Sequence, residues 1–166
     1  MTVQTRTNTL SSALLLILSL MQLQGCATSG PGFTEVSPAP PGRAMIYLYR
    51  ESRMMGAAGS FTIFKNGKNL VKLKNGGYLP IEVEAGPVVL SNEPAYGIAN
   101  VIPWVTVLTA HWKATVDWEK EGALLIEAEP NKTYYVEWVL GGKLYQRSRE
   151  EAMPILATTK RLEPME

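Results

Sequence analysis

Beyond Gly42 most apolar runs are cut short by a Gly, Pro or Asn, and this punctuation constrains the fold more than any other feature of the chain. Helices need a 3.6-residue period held over ten or more positions, whereas short period-two runs bounded by turn residues read as strands. Residues 43–50 are apolar on both alternations, with Met45, Tyr47 and Tyr49 opposed to Ile46 and Leu48, the pattern of a central strand covered on both faces. Residues 61–65 follow, and Asn66-Gly67 supplies the positive φ values of a tight hairpin before Val71 and Leu73 return. Asn75-Gly76-Gly77 turns the chain into 78–84, where Leu79, Ile81 and Val83 face inward and Glu82 and Glu84 outward. Pro80 cannot donate to a ladder, which places that strand at an edge or on a bulge.

Ala85-Gly86-Pro87 leads into Val88-Val89-Leu90, and later Leu124, Ile126 and Ala128 alternate with Glu127 and Glu129. Pro130-Asn131-Lys132 turns into 133–140, with Tyr134, Val136, Trp138 and Leu140 on one face, and Gly141-Gly142 returns the chain through 143–146. Ser148 with Glu151 matches a capping box, predicting a short helix limited by Pro154. The expected body, residues 43–166, is all-β: a small antiparallel β-sandwich with a short C-terminal helix. Between the strands, residues 92–122 read as a long connection with one or two strands. Trp112, Ala114, Val116 and Trp118 alternate there with polar residues.

The amino terminus is different in kind. Residues 1–25 carry one charge, Arg6, and an apolar run over 10–21 that is too short for a membrane span but suits the middle of a secretory signal. Directly after it, Leu23-Gln24-Gly25-Cys26 resembles the lipobox of bacterial lipoproteins. The resemblance implies a diacylglycerol on the Cys26 thiol, cleavage before Cys26, acylation of the new amine and a membrane partner held through these acyl chains. Ala27 after the Cys implies delivery to the outer membrane, facing the periplasm. Each buried methylene contributes about 0.8 kcal/mol, so two or three chains anchor where one holds marginally. Residues 26–42, rich in Pro and Gly, read as a partly stiff tether, with Phe33 and Val36 able to dock on the body and shorten it.

Charge narrows the partners. The chain has 16 basic and 15 acidic side chains, and losing residues 1–25 removes Arg6 alone. Such a balance lacks the positive field that nucleic-acid binding requires. Arg43, Arg50, Arg53, Lys65, Lys68, Lys72 and Lys74 nevertheless concentrate in 43–74, whereas 82–137 is mainly acidic. Opposite signs on adjacent strands pair across a solvated sheet face; the alternative is a basic hairpin that touches lipid phosphates.

Chemistry finds little purchase. One Cys and one His cannot build a zinc site from those ligand types, and no cofactor motif is present. His111 lies between Ala110 and Trp112 with no glycine-framed serine elbow in the chain. Glu82 with Glu84, and Glu127 with Glu129, sit at period two on a solvated face, where nothing desolvates one carboxylate against the other. A non-enzymatic envelope binding module, with an envelope protein or polymer as partner, is therefore expected. The alternatives are a hydrolase using His111 or those surface carboxylates, and a hydrophobic-ligand or membrane-contact protein using Trp104, Trp112 and Trp118.

Several fragments in order resemble the bacterial lipoprotein family catalogued as domain of unknown function 2846. They are Ile46-Tyr47-Leu48-Tyr49-Arg50, Gly59, Asn66-Gly67, Leu73-Lys74-Asn75-Gly76-Gly77-Tyr78, the Gly86 turn and Pro130-Asn131-Lys132-Thr133-Tyr134-Tyr135-Val136. The resemblance covers roughly residues 43–140 and implies a small β-sandwich lipoprotein without an assigned activity. The turn-and-strand order is also similar to PEGA-type surface-layer modules.

Overall fold

The computed structural model describes residues 28–92 and 122–165, a mostly-β fold of two sheets and one short helix. In chain order the elements are β1 (Arg43–Arg50), β2 (Phe61–Lys65), β3 (Lys68–Leu73), β4 (Gly77–Glu84), β5 (Gly86–Ser91), β6 (Ala123–Ala128), β7 (Thr133–Val139), β8 (Lys143–Arg147), α1 (Arg149–Leu156) and β9 (Lys160–Arg161). The first sheet has the order β8-β7-β1-β4-β9 and the second β3-β2-β5-β6.

The double alternation of β1 has a physical counterpart on each side. Ala44, Ile46 and Leu48 join Ile63, Val71, Leu73, Leu90 and Ile126 of the second sheet in one fully apolar cluster. Burying each Leu or Ile of this set contributes about 1.5–3 kcal/mol relative to exposure. Met45, Tyr47 and Tyr49 point the other way and pack with Tyr78, Tyr135 and the α1 residues Ala152 and Leu156. Asn66 and Gly67 take φ of 51° and 76°, closing the β2–β3 hairpin as its sequence requires. Beyond Tyr78, which pairs with the two-residue β9, the far side of β4 carries no named strand, and Pro80 sits on that open stretch.

Three expectations need correction. The sheets are not purely antiparallel: β1 runs parallel to β7, and β4 parallel to β9. Alternation reports which face a side chain takes, not the direction of its neighbour, so the sequence pattern was equally compatible with either. Leu140 leaves the core face of β7 and stands 50% exposed in the following turn. On the opposite face Tyr135 and Glu137 are buried, so β7 is covered on both sides. Finally, α1 is capped by Ser148 and Glu151 as expected but continues two residues past Pro154. Pro154 lies on the exposed side, while buried Leu156 holds the last turn against the tyrosine cluster.

Candidate interaction surfaces

Residues 28–42 lie on the first sheet. Phe33 N donates to Thr159 O at 3.0 Å, Arg161 N donates to Pro31 O at 2.7 Å, and Gly32 bridges Lys160. The backbones approach so closely that a Cβ on Gly30 would stand 1.9 Å from the Arg161 carbonyl oxygen. Phe33 meets Tyr47 and Tyr78 edge-on at 6.1 and 5.4 Å, and Val36 and Ala39 pack on the same aromatic layer. Ser37 N donates to the Tyr47 hydroxyl at 2.6 Å. Phe33 and Val36 therefore dock on the body, and buried Thr28 donates its hydroxyl to Asn75 O at 2.8 Å.

Asn75 is a junction. Its side chain accepts from Arg53 N at 3.1 Å and donates to Arg53 O at 3.0 Å, so the loop after β1 is fixed to the turn that holds Thr28. That loop displays Met54 and Met55, which are 97% and 74% exposed. Beside the turn opens a groove of about 300 Å³, whose polar wall is Lys72, Lys74, Arg161 and Glu163. Among the described residues, Lys72, Lys74 and Arg161 form no ion pair.

Behind the loop sits a cation that sequence reading missed. Arg50, only 3% exposed, donates to Gly59 O at 2.7 Å and to Gly56 O at 2.6 Å, and its guanidinium lies over the Trp138 and Phe61 rings. Burial pushes its pKa down from the ordinary arginine value. Its fork of donors and flat face match two carbonyls and two rings in a way an ammonium would not. The residue clamps loop 51–59 rather than presenting charge to a partner. Two glycines downstream of a strand-ending Arg were the sole sequence trace of it.

The carboxylates considered for hydrolysis are solvent-exposed. Glu82 pairs with Arg43 at 2.7 Å and Glu129 with Lys132 at 2.7 Å, while Glu84 and Glu127 stand on the same exposed faces. The Arg43–Glu82 pair is the cross-strand neutralisation expected of oppositely charged strands, yet Lys65, Lys68, Lys72 and Lys74 take no part in such pairing among the described residues. No group of three or more His, Cys, Asp or Glu side chains able to hold a metal occurs among the described residues. His111, Trp104, Trp112 and Trp118 lie outside the described residues, as do Leu23, Gln24, Gly25, Cys26 and the apolar run before them.

No family model, no curated protein and no solved structure matches the chain.

Proposed function

We propose that the chain is an exported lipoprotein whose β-sandwich body is tied to the outer membrane through acyl chains on Cys26, faces the periplasm and works as a non-enzymatic binding module of the cell envelope. One observation carries most of the weight: the one Cys of the chain stands in Leu23-Gln24-Gly25-Cys26, which resembles the lipobox, directly after the apolar run over 10–21. The likeness of the turn motifs to the lipoproteins of domain of unknown function 2846 supports the same reading.

Labelled palmitate should enter the wild-type protein in its bacterial host and fail to enter Cys26→Ala. Mass spectrometry of the mature protein should find Cys26 as the acylated first residue. An unmodified thiol in membrane-purified material would reject the anchor.

A further inference from the structure

We infer that the end of the body carrying Thr28 is a membrane-docking surface for anionic phospholipid headgroups. With Cys26 as the attachment point, as proposed above, Ala27 alone separates it from Thr28. Consecutive Cα atoms are about 3.8 Å apart, so Thr28 is held within roughly 8 Å of the anchored residue. Thr28 is buried and hydrogen-bonded to Asn75, so the anchor cannot pay out slack before it meets the fold. The bilayer surface must then lie against whatever surrounds Asn75.

Around it lie the Arg53–Glu51 ion pair and two kinds of group able to meet a bilayer. Lys72, Lys74 and Arg161 line the groove beside Thr28 against the single carboxylate of Glu163, and none of the three is ion-paired among the described residues. Such cations near a bilayer are attracted to anionic headgroups over about a Debye length. On the other side of Asn75, Met54 and Met55 project from a loop that Asn75 and Arg50 fix in place. Unbranched thioethers adapt to an irregular apolar layer, and on this surface they would meet the acyl chains just below the headgroups. Lys68, at the far end of β3 beside the Asn66-Gly67 turn, lies away from this surface.

The full chain is reconstituted in vesicles of phosphatidylcholine alone or with phosphatidylglycerol added. Amine acylation at Lys72 and Lys74 and oxidation at Met54 and Met55 are followed by peptide mass spectrometry. Phosphatidylglycerol should slow both reactions severalfold and leave Lys68 unchanged; high salt should restore the lysine rates. Charge reversal at Lys72, Lys74 and Arg161 together should abolish the difference between vesicles in the oxidation of Met54 and Met55 while the melting temperature holds. Equal rates on both vesicle types, or slowing that extends equally to Lys68, would overturn the docking surface. Protection reproduced by inorganic phosphate without vesicles would overturn it in favour of a soluble ligand. The mass of the Cys26 peptide from the same digest reads the anchor separately. Acylated Cys26 with equal rates rejects the docking surface alone, and free Cys26 with phosphatidylglycerol-dependent protection rejects the anchor alone.

Discussion

Tyr49 is fully buried, and its hydroxyl has no hydrogen-bond partner among the described residues. Burial pushes its phenol well above the ordinary tyrosine pKa, Glu137 adds to the rise and Arg147 opposes it. An unpartnered buried hydroxyl costs its desolvation without return, so Tyr49→Phe should stabilise the fold by about 1 kcal/mol in urea denaturation. The same residue predicts an alkaline effect. The unfolded phenol loses its proton near pH 10 while the folded one keeps it, so the folded state binds more protons. Stability present below that pH is therefore lost as pH rises above it. Burial raises Tyr78 and Tyr135 in the same direction. Tyr49→Phe should flatten, without abolishing, the fall in melting temperature above about pH 10; an unchanged slope would show that Tyr49 does not contribute to it.

At the scale of elements, Gly30 decides whether residues 28–42 are part of the body. A Cβ there would meet backbone, which cannot yield as a flexible side chain can. Gly30→Ala should cost about 1–3 kcal/mol of overpacking, confined to this segment. Amide exchange at Phe33 and Arg161 should speed up while β1 and β7 keep their protection, and unchanged exchange at both amides would show that the close approach tolerates a methyl group. This is also where legibility from sequence ends. The faces of β1, the Asn66-Gly67 hairpin and the Ser148–Glu151 cap could be read because each is written in neighbouring residues. Parallel pairing of β1 with β7 joins residues far apart in the chain, and no local spacing encodes it. The Pro- and Gly-rich composition of 28–42 correctly signals little internal burial. What it omits is the Tyr47–Tyr78–Tyr135 layer waiting outside the segment. Arg50 was obscure for the same reason: its partners are carbonyls and rings assembled only by the fold.

For the molecule as a whole, the informative feature is how the long connection leaves and returns. Ser91 pairs with Ala123 at the facing ends of β5 and β6, and Asn92 N donates to Gly122 O at 3.2 Å. Asn92 and Gly122 are thus already as close as the ends of a hairpin turn. They lie near the end of the body that displays Met54, since Asn92 Oδ1 accepts from Trp138 Nε1 at 3.1 Å and Trp138 is the register partner of Arg50. Replacing 93–121 by a short Gly-containing turn should preserve the two sheets. If the excised residues add nothing to the core, the shorter loop should raise stability by about 2 kcal/mol, because closure cost grows with the logarithm of loop length. Trp138 would then be the remaining tryptophan, stacked on Phe61 at 4.2 Å, so its near-ultraviolet circular dichroism reports core packing directly. A cooperative melt with that band intact would assign Trp104, Trp112 and Trp118 to work outside the core. A melt lost with the band would make them structural, and hydrophobic-ligand binding through them would lose its support.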